Sequence, residues 1–175
     1  MIRPKGTTMA AYQGQLPFSG GQARPCDSLF SEGSKAMCDR ILVAVDHSET
    51  SQRAVLAARD LAVLSKGEVW VLHLREREMG VKTGALIPDE STSEANAAAA
   101  ESVEVLTRAG VTAHGEVRNT IFGYAAREIV DDAREPNADV IVMGSRGRGD
   151  LAGLLLGSTA HKVIHLTDRA VLIVR

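Results

Sequence analysis

Short apolar runs alternate with helical segments along most of this chain, and that alternation constrains the fold more than any other feature. The run Arg40–Val45 (RILVAV) is typical of a strand buried on both faces of a parallel sheet. A helix with Ser48 or Thr50 as its N-cap follows and ends near Ser65. The run Val69–Leu74 (VWVLHL) predicts a second buried strand.

The rest of the domain repeats this pattern. The remaining predicted elements are helix two (about 91–109), strand three (Thr112–Arg118), helix three (opening at Gly123), strand four (Val140–Met143), helix four (about 159–166) and strand five (Ala170–Val174). The polar stretch Arg75–Asp89 contains glycine and proline and predicts a loop. Five strands alternating with helices indicate an α/β fold with a parallel sheet and helices on both faces. In such sheets ligands bind at the carboxyl ends of the strands, where the strand order reverses.

Residues 1–37 differ in composition from the rest of the chain. They are rich in glycine and proline and show no helical or strand period, so we predict a disordered tail followed by one domain over residues 38–175. The two cysteines, Cys26 and Cys38, lie in or beside this tail and suggest neither a disulfide nor a metal site. A reducing, cytoplasmic setting is therefore expected.

A glycine-rich segment follows strand four directly and precedes helix four. Gly144, Gly147, Gly157 and Ser158 have the spacing Gly-x2-Gly-x9-Gly-Ser. Glycines allow the backbone to approach an anion closely, and the N–H groups at a helix start favour negative charge. The segment predicts a phosphate-binding loop, with a ligand-free turn that uses glycines for helix packing as the alternative.

Three further segments, taken with this motif, carry a resemblance to a known family. They are ILVAVDHSE (Ile41–Glu49), VLHL (Val71–Leu74) and ADVIVMGSRGRG (Ala138–Gly149), the last followed by the closing RAVLIVR. Together with the glycine spacing, they resemble the universal stress protein family in its ATP-binding branch, over Asp39–Arg175. The resemblance implies a Rossmann-like sheet of the adenine nucleotide alpha hydrolase type, with strand order 3-2-1-4-5. It also implies a homodimer that pairs through the last strand, Ala170–Val174.

The resemblance implies ATP, with or without Mg²⁺, as the ligand. Its adenosine end would lie against Val45 and Asp46, with backbone groups of Leu74 at the adenine edge and Met143 packed beneath the loop. The ribose and phosphates would be held by residues of the glycine loop and the helix after it: Gly144, Ser145, Arg146, Gly147, Arg148, Gly157, Ser158 and Thr159.

Several of these residues have a simpler structural interpretation. Asp46 fits a helix cap or turn residue as well as a ribose acceptor, and Ser158 is a natural N-cap for helix four. Arg146 and Arg148 fit solvated loop residues as well as phosphate donors. Gly123 is kept from the family pattern, but the proline that often follows it is missing.

Other kinds of site are not supported. The histidines predict no metal site, since His161 and His165 are spaced i, i+4 without the glutamate of H-E-x-x-H, and His73 lies within a strand. No G-x4-G-K-[ST], G-x-G-x-x-G after strand one, or G-x-S-x-G motif is present. A net charge of −2 and the lack of a long apolar run indicate no nucleic-acid or membrane partner.

We therefore expect a cytoplasmic stress-response protein that binds ATP and is not a dedicated enzyme, with slow hydrolysis at most. One alternative is a dimeric interaction module that works without a nucleotide. A second is an enzyme of the related adenine-nucleotide hydrolase fold, which would need a phosphate loop after strand one. A third is AMP or cyclic AMP as the ligand of the same cleft.

Overall fold

The strands and helices of the domain follow the predicted alternation. The computed structural model describes residues 38–79, 85–147 and 156–175, all within the compact unit Lys35–Arg175. The strands are β1 (Arg40–Val45), β2 (Glu68–Met79), β3 (Leu86–Pro88), β4 (Ala113–Ile121), β5 (Val140–Gly144) and β6 (Ala170–Val174). The helices are α1 (Glu49–Ser65), α2 (Thr92–Arg108), α3 (Ala125–Asp132) and α4 (Ser158–Leu166). The predictions for residues 1–37 and for Arg148 lie outside the described residues.

The order of the parallel strands confirms the expectation. β4, β2, β1, β5 and β6 pair side by side in that sequence, and each of these pairings is parallel. These are the five predicted strands in the order 3-2-1-4-5. From β1 the chain builds the sheet outward through β2 on one side and later through β5 on the other. The strand order therefore reverses between β1 and β5.

A sixth strand, β3, was not predicted, and the expected loop over Arg75–Asp89 is wrong in part. β2 continues to Met79, and its end pairs antiparallel with β3 through Arg77↔Pro88 and Glu78↔Ile87. The alternating charges of this extension carry no apolar period, so local sequence does not reveal it. The long-range pairing satisfies its backbone groups instead, and Pro88 is tolerated because it lies in a short strand at the sheet edge.

The helix N-termini match the predicted caps at α1 but not at α4. The Ser48 side chain accepts a hydrogen bond from Ser51 N at the start of α1, as predicted. At α4 the N-cap is Gly157, and Ser158 is the first helical residue, so the predicted Ser158 cap is wrong. Gly157 N donates to Ser145 O at 2.7 Å, and this bond fixes the extended residue before the helix. As a glycine, this N-cap makes no side-chain hydrogen bond to the helix.

Helices cover both faces of the sheet, as expected. One buried cluster joins alternate residues of β1, such as Ile41 and Val43, to α1 and α2. The other joins residues on the opposite face, such as Leu42 and Ile141, to α3 and α4. No helix in the described part of the chain is both long and apolar enough to cross a membrane.

Candidate functional site

A cavity of about 530 Å³ lies at the carboxyl ends of β1, β2 and β5, where the strand order reverses. Its volume falls in the usual range for small-molecule sites. The predicted site residues that line it are Val45, Asp46, Leu74, Met143, Gly144, Ser145, Arg146, Gly147, Gly157, Ser158 and Thr159. The structure therefore brings together every predicted site residue that it describes. Their role in binding stays a prediction.

Backbone hydrogen bonds fix both ends of the glycine segment. Ser145 N donates to Val174 O of β6 at 2.6 Å, and Ser145 O accepts from Gly157 N at 2.7 Å. Residues on either side of positions 148–155 are thus joined directly. This contact holds the carboxyl end of β5 beside the start of α4.

Close packing explains why a glycine ends β5. A Cβ at Gly144 would lie 2.7 Å from Thr50 Oγ1 and 3.0 Å from the Thr50 carbonyl carbon. The first turn of α1 therefore passes directly against the end of β5. Thr50 Oγ1 also donates to Arg146 O at 2.6 Å, which attaches the loop backbone to the same turn.

Asp46 connects the end of β1 to both α1 and the loop. Its Oδ1 accepts from Ser48 N at 2.9 Å, and its own N donates to Ser51 Oγ at 2.9 Å. Its other carboxylate oxygen faces Gly147, where a Cβ would lie 2.8 Å from Oδ2. Asp46 is therefore a turn residue, as one interpretation predicted, and it also borders the cavity.

The N-terminus of α4 opens on the cavity, because Gly157, Ser158 and Thr159 all line it. The first N–H groups of a helix have no intrahelical acceptor, and they carry the positive end of the helix dipole. Nearby, Ser145 Oγ is buried and finds no hydrogen-bond partner among the described residues. This end of the cavity thus offers donors suited to an anion.

Two histidines and a glutamate form a cluster that the sequence did not predict, and two of the three, His73 and Glu90, line the cavity. Glu90 Oε1 lies 2.5 Å from His73 Nε2, and Glu90 Oε2 lies 2.7 Å from His47 Nε2. The sequence alone did not bring His47 and His73 together, and the expectation that the histidines form no metal site stays a prediction. The sequence places His47 just after the first strand and His73 within the second, but their proximity depends on the register, which pairs Val45 with His73. Glu90 follows the unpredicted strand β3 and gave no signal.

The cluster holds a buried carboxylate in its charged form. The Glu90 side chain is only 5% exposed, and this burial works to raise its pKa. The hydrogen bonds from His47 and His73, with the positive charge of the rings when protonated, outweigh burial and lower the pKa of Glu90 below its ordinary value. His161 and His165 stack edge to face on α4, as expected of a surface pair.

Sequence comparison gives one family over the whole domain. Residues 37–175 match the profile of the universal stress protein family. The chain is 37% identical over 149 residues to universal stress protein YxiE of Bacillus subtilis, which covers 79% of this chain and all of that protein.

Solved structures agree with this assignment. The universal stress protein from Archaeoglobus fulgidus in complex with dAMP superposes with a TM-score of 0.58 at 27% identity, covering 78% of this chain and 97% of that one. A universal stress protein in complex with cAMP superposes with a TM-score of 0.58 at 27% identity, covering 79% and 97%. This chain belongs to the universal stress protein family.

Proposed function

We propose that this chain binds adenine nucleotides in the cavity at the carboxyl end of the sheet, with ATP as a ligand. One observation carries the proposal: Asp46, the turn Gly144–Gly147 and the N-terminus of α4 converge on a single cavity. The related proteins seen with dAMP and cAMP support the adenine-nucleotide class. The Gly-x2-Gly-x9-Gly-Ser spacing is what favours ATP within that class.

The phosphates are assigned to the end of the cavity formed by β5 and α4. The first N–H groups of α4 have no intrahelical acceptor and supply donors there, and the turn Gly144–Gly147 lines the same end of the cavity. At Gly147 the backbone lies so close to Asp46 that a Cβ would come within 2.8 Å of Oδ2. Mg²⁺, which binds through oxygen ligands and retained water, would accompany the phosphates.

The adenosine is assigned to the ends of β1 and β2. Val45, Leu74 and Asp46 line the cavity there, and we assign the Asp46 carboxylate to accept from the ribose hydroxyls. Hydrogen bonds to a charged group contribute about 1.5–3 kcal/mol. Asp46→Asn should therefore weaken ATP binding by about tenfold or more, while retaining the Oδ1 acceptor for Ser48 N.

We propose that hydrolysis is slow at most. The acidic side chains lining the cavity, other than Asp46, come from β2 and the segment between β3 and α2, away from the proposed phosphate end. Asp46 itself is engaged by Ser48 N. A phosphate-release assay should give turnover below about 10⁻² per second, the level of an unassisted nucleotidase rather than a dedicated enzyme.

We also propose a homodimer through β6. This strand pairs with β5 along one edge, and it carries the apolar side chains of Val171, Leu172 and Ile173, with Leu172 more than a third exposed. An apolar edge strand is an aggregation risk that pairing with a second copy removes. Leu172→Glu should shift the mass measured by light scattering from dimer to monomer, whereas Leu64→Glu, on an exposed face of α1, should not.

The nucleotide proposal is tested by thermal melting with millimolar ATP, AMP or cAMP and Mg²⁺. ATP at 100 times its Kd should add about 2.7 kcal/mol of stability and raise Tm by several degrees. Gly157→Val should abolish the shift, and it is compatible with the backbone because φ at Gly157 is −71°. Gly115→Ala on β4 is the matched control and should keep the shift.

Each other outcome has a clear meaning. A larger increase in Tm with cAMP than with ATP would show that cAMP, and not ATP, is the preferred ligand. No shift with any nucleotide, in a folded protein, would contradict the proposal and favour an interaction module that works without a nucleotide. If Gly157→Val fails to fold, Asp46→Asn supplies the same test.

A further inference from the structure

We propose that His47, His73 and Glu90 form a binding site for a divalent transition-metal ion, with Zn²⁺ as the ion that this ligand set fits best. The site needs no nucleotide, so the proposal goes beyond the proposed function and does not depend on it. The ligand atoms offered by the three side chains all lie within 4.8 Å of one another.

The chemistry of the ligands selects the class of ion. Two imidazole nitrogens and one carboxylate oxygen are a ligand set used by zinc in sites that keep a fourth position open. Mg²⁺ and Ca²⁺ prefer oxygen ligands, so two histidines argue against them. Both imidazoles would coordinate through Nε2, the atoms that now face the Glu90 carboxylate.

The distances require only small side-chain movements. Tetrahedral zinc with bonds of about 2.0–2.1 Å places its ligand atoms about 3.4 Å apart. The carboxylate oxygens are now 2.5 Å and 2.7 Å from the two imidazoles. Rotation of the Glu90 carboxylate and of the half-exposed His47 ring would move their ligand atoms by about 1 Å. That movement would open room for an ion.

The backbone around two of the ligands is already fixed. His73 is fully buried in β2 and pairs with Val45 of β1 on one side and Val117 of β4 on the other. Glu90 O accepts from Arg75 Nε at 2.7 Å, and Ser91 directly after it begins α2 with a capping box. Ligands held in this way lose little conformational freedom when an ion binds.

The open position of the metal would face the nucleotide cavity, because His73 and Glu90 both line it. Water would complete the coordination there. A buried carboxylate flanked by two imidazoles is costly to maintain for packing alone, since an apolar side chain of similar volume would serve as well. A bound metal ion would give the three polar side chains a common partner.

The test uses the full chain, treated with a chelator and desalted, with no nucleotide present. Zn²⁺ is titrated by calorimetry, and Co²⁺ serves as a spectroscopic substitute. We expect a site with one-to-one stoichiometry and the intense visible bands of four-coordinate Co²⁺. The absence of stoichiometric binding at micromolar zinc would overturn the proposal.

Two variants assign the site. His47→Ala removes a half-exposed ligand and should weaken Zn²⁺ binding at least tenfold, and Glu90→Gln should do the same while preserving the size of the side chain. The matched control is the double variant of the other histidine pair, His161→Ala with His165→Ala, which should leave the binding unchanged. Unchanged affinity in both site variants, or its loss in the control, would refute the assignment.

The two proposals fail separately. If the protein binds ATP but not Zn²⁺, the cluster is a hydrogen-bonded structural triad and the nucleotide proposal stands. If the protein binds Zn²⁺ but no nucleotide, the metal-site proposal stands and the nucleotide proposal fails.

Discussion

Asp132 near the end of α3 provides a quantitative test of the electrostatics of this structure. Its side chain is only 4% exposed, and its Oδ1 lies 2.5 Å from Arg118 Nη1. The same guanidinium is shared with Glu116 and Glu135, at 2.6 Å and 2.9 Å. One cation thus serves three carboxylates, of which Asp132 is the most buried.

Burial raises the pKa of Asp132 from 3.8 to about 6, although the Arg118 charge works to lower it. Below about pH 3 the carboxyl is protonated in both the folded and unfolded chains, so its titration changes nothing. Between pH 4 and 6 the unfolded chain loses the proton while the folded chain retains it, so rising pH favours unfolding. A pKa difference of about 2 units corresponds to about 3 kcal/mol of stability lost by pH 7.

The prediction is measured with urea unfolding of the wild type and Asp132→Asn between pH 4 and 7. The variant lacks the titration, so its free energy of unfolding relative to the wild type should rise by about 3 kcal/mol across that range. Asp131→Asn is the control: this half-exposed neighbour should change the difference by less than about 0.5 kcal/mol. A flat or falling difference for Asp132→Asn would refute the reasoning.

Three further predictions concern the local structure and are tested by chemical denaturation. Gly144→Ala should cost about 1–3 kcal/mol because its Cβ would press on the backbone of Thr50, and an unchanged stability would show that this contact is not tight. Ser91→Ala should cost about 1 kcal/mol by removing the cap of α2, and no loss would contradict the capping box. Lys66→Gly should add about 0.5–1 kcal/mol, since Lys66 ends α1 at φ 58°, whereas Arg59→Gly within the helix should cost about 1 kcal/mol. If both glycine substitutions changed the free energy of unfolding in the same direction, the described end of α1 would be contradicted.

The parallel sheet was predictable because its signals are local. Four of the five predicted strands are short apolar runs, the third (Thr112–Arg118) is more polar, and the helices between them carry breakers or caps. The strand order was not local information; it came from the family resemblance. The positions of Asp46 and Gly144 at neighbouring strand ends then followed from that order.

The parts that the sequence did not predict depend on long-range contacts. β3 exists because its backbone pairs with the charged extension of β2, which has no apolar period. Glu90 lies beside His73 only as a consequence of that pairing. The cap of α4 shifted from Ser158 to Gly157 because Ser145 O holds Gly157 N across the glycine segment.

The crystal structure of this chain grown with ATP and Mg²⁺ tests the central claim most directly. We predict phosphates at the N-terminus of α4 and along Gly144–Gly147, the ribose beside Asp46, and the adenine near Leu74. A nucleotide bound elsewhere on the chain, or an empty cavity at saturating ATP, would contradict it.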